Sequence, residues 1–528
     1  MSTAAQSLPV VAAQAAPAEA HSATAHHIRG SSLLLVGKLL AQVMEFGAQV
    51  LLVRALSKAD FGAFSYALSF ALLCKGIAMF GLPDTLSRFI PLYREHRQHD
   101  RLLGALVLAF ATVIGLGLVI ATGLNVGINV FDLKPTDDPA ALSLLAIMAF
   151  LIPIEALDGL LTNLFAAFAS PRVIFFRQSV LGPGLRLALV VALTALQADV
   201  LFLTIGYLLI SLVGMALYGV MFARTLRGQG WLAGLQLRAL RYPVREIYGF
   251  AVPLLASVLV WLVIESSDAL LLGYFHNTEA VASFRAVLPM ARLNQGVILT
   301  FALLYTPLAA RLYARRDHGA LADLYWQTAL WMTVLSLPIF LLTFCFAGTM
   351  TVQVYGPRYA DSVPIMALLS LGYFFHTVLG FNGLTLKVYG RLRFTVAVDV
   401  AATVVNVIVN LALIPPYGVL GAAVGSASTL IVHNLLKQYG LWRYTGISLF
   451  RRQYAVVYGT AALVALALLG LQIALLPESL PLAVLLGAAG SLVVLAVSWR
   501  ALAVEQMFPE LGRWPLVRSA RRVFTRVG

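Results

Sequence analysis

The stretch LLGALVLAFATVIGLGLVIATGLNV, residues 102–126, runs for 25 residues without a charged side chain. A helix needs about 20 mainly apolar residues to cross the hydrocarbon core of a bilayer. Arg94, Arg97 and Arg101 come just before this stretch. Connections rich in arginine and lysine stay on the cytoplasmic side of a membrane. The stretch therefore predicts a transmembrane helix that starts at the cytoplasmic face.

The same pattern recurs along the chain, whose mean hydropathy is +0.87 and whose residues are 60% hydrophobic. These values exclude an ordinary soluble protein. The apolar stretches predict an all-α polytopic membrane protein with about 14 transmembrane helices. They lie near residues 31–53, 61–82, 102–126, 140–168, 179–196, 200–222, 248–272, 284–309, 325–346, 362–386, 395–414, 418–436, 454–476 and 481–499.

The basic residues between these stretches predict the orientation. If the N-terminus is cytoplasmic, 28 of the 37 lysines and arginines fall in cytoplasmic segments, and four lie within or near the ends of spans. This bias predicts that both termini are cytoplasmic, in the inner membrane, and that the number of spans is even. Loops held against an anionic leaflet account for the net charge of +14, so we predict no nucleic-acid partner. Only five basic residues fall on the opposite side: Arg54, Lys58, Lys134, Arg285 and Arg358.

The chain divides into two similar halves. The connection 223–247 separates six predicted spans from the next six, and the loops of the halves stay in phase at an offset of about 220 residues, which places Glu45 on Glu265. Such a parallel duplication is typical of transporters with a central site between the halves. The predicted segments are a disordered cytoplasmic tail (1–30), two six-helix bundles (31–222 and 248–440), two further helices (454–499) and a basic cytoplasmic tail (500–528).

The chain contains the four short motifs RALSKADFG (54–62), GLPDTLSRFIP (81–91), NGLTLKVYGR (382–391) and NLALIPPYGVLGAA (410–423). These motifs resemble those of bacterial polysaccharide flippases, which belong to the multidrug/oligosaccharidyl-lipid/polysaccharide superfamily. The resemblance covers about residues 30 to 500. It implies a two-bundle fold that translocates a polyprenyl-pyrophosphate-linked oligosaccharide across the cytoplasmic membrane, for the biosynthesis of surface polysaccharides such as lipopolysaccharide or exopolysaccharide.

The cations inside the predicted spans are candidate ligands for the phosphate groups of such a substrate. An ionisable residue within a membrane is costly and marks a candidate functional site. Arginine binds phosphate oxygens in a bidentate way, whereas lysine acts as a point charge. We predict a headgroup site formed by Lys38, Arg186 and Arg292, with Lys75 next. The alternative for Arg292 is an ion pair with Glu265.

The acidic residues in the spans are candidates for binding Na⁺ or H⁺. Glu45 shares one face of the first span with Lys38, which predicts that this face lines a cavity or forms an internal network of ion pairs. Glu155 and Asp158 both lie on the fourth span, and the alternative for them is bonding to Lys75 or Arg186. The candidates are Glu45, Glu155, Asp158, Glu265 and Asp268.

The sequence therefore favours a flippase that works by alternating access, not an enzyme. A lipid II-type flippase differs only in substrate, and a drug/cation antiporter of the same superfamily predicts an acidic cavity. A membrane-embedded glycan polymerase or ligase is disfavoured because the outer connections are short. No GxxxxGK[ST] motif, cofactor site or metal site is predicted. The expected partners are the lipid-linked glycan, membrane lipids, and the glycan polymerase and export machinery.

Overall fold

The computed structural model describes residues 17–167, 175–228, 240–475 and 479–502, and within these ranges it contains helices and no strands. The helices of the first half are α1 (Pro17–Ala55), α2 (Lys58–Ala78), α3 (Leu82–Glu95), α4 (His99–Asn129), α5 (Pro139–Met148), α6 (Leu151–Ala167), a π-helical turn (Phe176–Leu181), α7 (Gly182–Leu196) and α8 (Val200–Gly228). 

The second half and the C-terminal pair follow the same helical pattern. Their helices are α9 (Val244–Phe275), α10 (Thr278–Ala291), α11 (Leu293–Ala314), α12 (His318–Phe340), a π-helical turn (Leu341–Cys345), α13 (Ala347–Tyr355), a 3₁₀ turn (Pro357–Ser362), α14 (Val363–Val378), α15 (Asn382–Val388), α16 (Leu392–Thr445), a 3₁₀ turn (Arg452–Tyr454), α17 (Ala455–Leu475) and α18 (Leu480–Ser498).

The described helices account for the predicted number of spans. Ten segments are long and apolar enough to cross a membrane, and the number rises to 13 if each of three bent helix pairs is counted as one span. The bent pairs are Pro139–Met148 with Leu151–Ala166, Val244–Val260 with Leu262–Phe275, and Thr278–Ala302 with Leu304–Ala314. Helix α16 is counted once although it reverses direction midway, so its two arms bring the total to fourteen. The prediction of an all-α polytopic fold is confirmed.

The reversal within α16 occurs at Gly418, directly after Pro415 and Pro416. Gly418 has φ 55° and ψ −130°, a conformation that only glycine adopts readily. A Cβ atom on Gly421 would lie 2.2 Å from the carbonyl oxygen of Leu413, so the two arms touch just beyond the turn. The resemblance to the flippase motif 410–423 thus corresponds to a tight hairpin.

Two segment boundaries differ from the sequence prediction. Helix α1 begins at Pro17, so residues 17–30 are helical, whereas composition predicted a disordered tail. This segment is rich in alanine, which has the highest helix propensity and needs no apolar periodicity to form a helix. In addition, α8 continues to Gly228 and α9 begins at Val244, which shortens the predicted linker 223–247. Residues 1–16 and most of the basic tail, 503–528, lie outside the described residues.

The two halves pack together through several helix pairs: α2 contacts α9 and α10, α3 contacts α9, and α1 contacts α10 and α13. Helix α2 packs against α10, where a Cβ atom on Gly62 would lie 1.8 Å from the carbonyl oxygen of Thr278. Helix α3 packs against the first arm of α9, where the Arg88 guanidinium lies 4.5 Å from the centre of the Phe250 ring. By contrast, the main packing partners of α11 are α10, α12, α14 and α15, all in its own half. Helices α17 and α18 pack against each other and onto α12 or its π-helical turn.

The alternating helices define two faces of the molecule. The basic face carries the described connections 95–99, 314–318, 388–392 and 445–455, and the opposite face carries 55–58, 129–139, 196–200, 275–278 and 345–363.

Candidate functional site

Two adjoining cavities are lined by α1 and α2. The larger, about 340 Å³, lies between α1 and α2 on one side and α9 and α10 on the other. The smaller, about 210 Å³, lies among α1, α2, α7 and α8 of the first half. Both are lined by Gln49, Leu52, Phe64 and Leu68, so these four side chains separate one cavity from the other. The larger cavity therefore lies between the two halves, whereas the smaller one lies within the first half.

The charged residues of the cavities lie near the middle of the membrane. Glu45, Arg186 and Glu265 each stand ten residues before the helix end at the opposite face. At 1.5 Å per residue this places them about 15 Å from that end, half the thickness of a hydrocarbon core of about 30 Å. Three independent helices thus bring charge to one level of the bilayer.

In the larger cavity, Arg292 and Glu265 form the ion pair that was the alternative in the sequence analysis. Their side chains lie 2.8 Å apart, and the Nε atom of Arg292 donates to the Tyr373 hydroxyl at 2.7 Å. Arg292 is the residue that joins α10 to α11, and its side chain lines the larger cavity. The predicted site residue Arg292 therefore lines the cavity while bound to a carboxylate.

Arg285 lines the same cavity and was missed by the sequence analysis, which counted it among the connections of the opposite side. It lies inside α10, seven residues before Arg292. Its Nη2 atom donates to the backbone carbonyl of Glu265 at 3.2 Å, and its buried Nε atom has no hydrogen-bond partner among the described residues. No carboxylate of the described residues lies within 4 Å of this guanidinium. Arg285 is therefore a cation of the cavity with unused donors.

In the smaller cavity, Arg186 stands between two carboxylates. Its guanidinium nitrogens lie 3.8 Å from Glu45 and 3.9 Å from Glu155, and its Cζ atom lies 5.1 Å from the centre of the Tyr207 ring. These separations are at the limit for an ion pair, so Arg186 is held loosely. The polar face of α1 predicted from Glu45 thus reaches a cavity and also joins a network of ion pairs.

The other two predicted headgroup cations lie elsewhere. Lys75 donates to the Glu155 carboxylate at 2.9 Å, and Glu155 also accepts from Ser211 at 2.9 Å. Lys75 lines neither of the two cavities described here. Lys38 is exposed near the middle of α1, without an ion pair to any described residue. Of the four predicted cations, the structure therefore brings only Arg186 and Arg292 to the cavities.

The predicted acidic residue Asp158 has a partner that the sequence analysis placed in a cytoplasmic connection. Arg177 belongs to the π-helical turn before α7 and donates to Asp158 at 2.7 Å. Cβ atoms on Gly182 and Gly214 would lie 2.8 Å and 2.3 Å from the guanidinium nitrogens, so these glycines make room for the arginine. The pair holds the fourth and fifth spans together beside Tyr218, whose ring centre lies 5.2 Å from the guanidinium.

Asp268 differs from the other predicted carboxylates because its hydrogen-bond partners among the described residues are neutral. It accepts hydrogen bonds from the Asn410 amide and the Ser426 hydroxyl, both at 2.7 Å, and it is 9% exposed. The amide of Asn406 lies next to this group and donates to Thr429 at 3.3 Å. The Asn410 Oδ1 atom is buried and has no hydrogen-bond donor among the described residues. The cluster therefore gathers several oxygen atoms around one buried carboxylate.

A second charged cluster of the second half was not predicted. Asp399 accepts from both His433 and Lys437 at 2.7 Å, and it ties the two arms of α16 together. Lys437 had been counted as a basic residue of a cytoplasmic connection. None of these three residues lines either of the two cavities, so we assign the cluster to the stability of the hairpin.

Comparison with known proteins agrees with this architecture. The profile of a family described as polysaccharide biosynthesis protein matches residues 27–313, more than half of the chain. An uncharacterized membrane protein of Methanocaldococcus jannaschii is 21% identical over 428 residues, which cover 79% of this chain and 83% of the relative.

Two groups of solved structures share the fold. The lipid II flippase MurJ in its inward closed conformation superposes with a TM-score of 0.67 at 13% identity, covering 89% of this chain and 99% of that protein. An inward-facing multidrug resistance transporter of the MATE family and MOP superfamily superposes with a TM-score of 0.61 at 16% identity, covering 77% of this chain and 95% of the other. At these identities the likeness establishes a common fold alone.

Proposed function

This chain belongs to the polysaccharide biosynthesis protein family, and we propose that it is a flippase that translocates a polyprenyl-pyrophosphate-linked oligosaccharide across the cytoplasmic membrane. In this proposal the basic face and both termini are cytoplasmic, in accordance with the positive-inside rule. The transported glycan serves cell-surface polysaccharide biosynthesis, such as that of lipopolysaccharide or exopolysaccharide. A glycan polymerase and the export machinery would receive the product.

The observation that carries the proposal is the excess of cations in the cavities. Three arginines, Arg186, Arg285 and Arg292, face two glutamates, Glu45 and Glu265. An anionic pyrophosphate fits such a site, and guanidinium groups bind phosphate oxygens in a bidentate way. A drug/cation antiporter would instead need an acidic cavity. We therefore propose Arg186, Arg285 and Arg292 as the headgroup ligands and treat Lys75 as an ion-pair partner of Glu155.

The ion pairs define how the site would accept its substrate. Glu265 holds Arg292, and Glu45 lies at the limit of ion-pair distance from Arg186. A pyrophosphate that enters the cavity competes with these carboxylates for the guanidinium groups. Arg285 needs no such exchange, because its donors are free of carboxylate partners among the described residues. We propose that Arg285 makes the first contact and that the other two arginines follow.

The separation of α1 from α11 provides a route for the polyprenyl chain. Helix α11 packs within its own half, and the exposed residues of α1 include Lys38, Leu39 and Val43. The chain can remain in lipid beside α1 while the headgroup crosses through the cavities. Lys38 lies at this edge and is proposed to attract the phosphate groups toward it. Movement of the anion out of a negative interior is favoured by about 2.3 kcal/mol per charge per 100 mV.

We propose that ion coupling, where it operates, uses Asp268. Glu45, Glu155, Asp158 and Glu265 each have a cationic partner within 4 Å, whereas Asp268 has amide and hydroxyl donors. A hard cation prefers oxygen ligands, and the buried Asp268 carboxylate beside the unpaired Asn410 Oδ1 atom supplies them. A Na⁺ ion bound there would lie between the second arm of α9 and the α16 hairpin. Binding of this ion would then favour close packing of α9 against the α16 hairpin.

The test is transport of fluorescently labelled lipid-linked glycans in proteoliposomes. The panel contains polyprenyl-pyrophosphate oligosaccharides, lipid II and a lipophilic drug cation, and accessibility to a membrane-impermeant quencher reports the leaflet. We expect transfer of at least one oligosaccharide, with none of the drug cation. Transfer of lipid II alone would change the substrate to a peptidoglycan precursor. No transfer of any glycan above that in protein-free vesicles would refute the flippase.

A further inference from the structure

The ends of two helices from different halves bind each other at the opposite face. Arg54, the last residue but one of α1, donates from Nε to the carbonyl oxygen of Val354 at 2.8 Å and from Nη2 to the carbonyl of Gln353. Both acceptors lie in the last turn of α13. About 300 residues of chain separate the partners. This contact therefore joins the first half to the second.

The same contact is made in the reverse direction. Arg358, three residues beyond the end of α13, donates from Nη2 to the carbonyl oxygens of Val53 and Arg54, the latter at 3.0 Å. Each helix thus ends on an arginine supplied by the other half. The last carbonyls of a helix have no intrahelical donor and carry the negative end of the helix dipole. A guanidinium group both donates hydrogen bonds to these carbonyls and places a positive charge at the negative end of the dipole.

An ion pair lies beside these two arginines. Lys58, at the start of α2, contacts Asp361 at 2.7 Å, and the Ser283 hydroxyl of α10 donates to the same carboxylate oxygen at 2.7 Å. The Asp361 side chain is 52% exposed, whereas that of Lys58 is 19% exposed. The carboxylate therefore connects α2, α10 and the 3₁₀ turn Pro357–Ser362 at a surface that water reaches.

These contacts can break at little cost. Exposed ion pairs contribute little to stability, and water replaces the donors that a helix end loses when its surface is solvated. The ion pairs buried between the spans behave differently, because breaking one of them leaves a charge without solvent. The polar contacts at the opposite face can therefore break and re-form, whereas the ion pairs buried inside each half are expected to remain formed.

We propose that Arg54, Lys58, Arg358 and Asp361 form an ionic latch that keeps the opposite face shut and opens in each transport cycle. The inference rests on alternating access between the two halves, as proposed above. Closing the latch joins α1 and α2 of the first half to α13 and the 3₁₀ turn of the second. Opening it frees the end of α1, whose inner part lines both cavities through Gln49 and Leu52. The latch thereby links closure of this face to the shape of the site.

Spin labels across the latch test this inference on the full chain without substrate. Ala59 and Ala360 are exposed neighbours of Lys58 and Asp361, and both native cysteines, Cys74 and Cys345, are buried. Cysteines introduced by A59C and A360C are labelled, and pulsed electron paramagnetic resonance measures the distance distribution in liposomes. We expect a short distance in the parent protein. Either D361N or R358Q should raise the population at longer distance about 2- to 5-fold.

Two further variants separate the latch from a general effect of surface charge. The charge exchange K58D/D361K should return the distribution toward that of the parent. Lys134 forms a 3.0 Å ion pair with Asp132 on the same face but within one half, so K134Q should leave the distribution unchanged. Because salt screens exposed pairs, raising it to about 1 M should lengthen the parent distance and affect D361N less.

The outcomes decide the proposal independently of the substrate. An unchanged distribution in both D361N and R358Q, or an equal shift in K134Q, would overturn the latch. If R358Q fails to fold, K58Q/D361N takes its place, since both side chains lie at the surface. A shift of the distances in a protein that moves no glycan would leave the latch in place and refute the flippase.

Discussion

The guanidinium of Arg292 lies 2.8 Å from the carboxylate of Glu265, whereas that of Arg285, two helical turns away, donates among the described residues only to the backbone carbonyl of the same glutamate. One cation of the larger cavity is therefore neutralised and the other is not. This difference separates a residue that also stabilises the protein from one whose donors remain for a ligand.

Replacement of Arg285 should impair substrate binding with little loss of stability. We expect R285A to weaken binding of a polyprenyl-pyrophosphate glycan by about 10- to 100-fold, because hydrogen bonds to a charged group contribute about 1.5–3 kcal/mol. R292A should weaken binding and also lower the melting temperature, since it leaves Glu265 without its partner. Binding to purified protein and thermal unfolding in detergent measure the two effects. Equal losses of stability in the two variants would contradict the distinction.

Asp268 should determine any response to Na⁺. The variant D268N keeps a side chain of the same shape but removes the charge, so the apparent Na⁺ dissociation constant of transport should rise at least about 10-fold, or about 1.4 kcal/mol. D399N is the matched control, because Asp399 is also a carboxylate of the second half but is bound to His433 and Lys437. Transport is measured at several Na⁺ concentrations and at fixed pH. A response to pH instead of Na⁺ that D268N removes would identify H⁺ as the coupled ion.

Gly62 should be needed for close contact between the halves. A Cβ atom at this position would lie 1.8 Å from the backbone carbonyl of Thr278, which has no freedom to rotate away. We expect G62A to separate α2 from α10 and to cost about 1–3 kcal/mol, the usual range for overpacking. G115A is the control, since a Cβ atom on Gly115 would meet nothing within 4 Å. Thermal unfolding compares the two, and an unaffected G62A would show that the helices are not in contact at this point.

The sequence was sufficient for the fold but only partly so for the site. Uninterrupted apolar stretches and the bias of basic residues predict the spans, because each depends on local composition alone. Glu45 and Glu265, matched by the internal repeat, do line adjoining cavities. Lys75 bonds to Glu155, which was the alternative given for that carboxylate. The sequence leaves both placements of Lys75 open, because a cation inside a span satisfies the same pattern whether it faces a cavity or a carboxylate. Only the packing of separate helices distinguishes the two.

Arg177 and Arg285 were predicted in connections between spans, but the structure places both inside the helical part of the chain. Both lie within a few residues of a predicted span boundary, where an arginine of a helix end looks the same as an arginine of a loop. The π-helical turn extends the fifth span to Phe176 and thereby brings Arg177 inside. The glycines that accommodate it, Gly182 and Gly214, were the available signal, but glycines are frequent in membrane helices for other reasons.

The pair of Arg177 and Asp158 should hold the first half together, and Gly214 offers a way to test this. R177A leaves Asp158 without its cation and should destabilise the protein by about 3–5 kcal/mol. The double variant R177M/D158L replaces the pair by apolar groups and should recover much of this loss. G214A places a methyl group 2.3 Å from the Arg177 Nη2 atom, so it should destabilise the parent protein but have less effect when residue 177 is methionine. Thermal unfolding of G214A, R177M/D158L and the triple combination gives the coupling free energy between the sites. Additive effects would show that Arg177 does not occupy the space beside Gly214, and the pair would then lose its proposed role in joining the fourth and fifth spans.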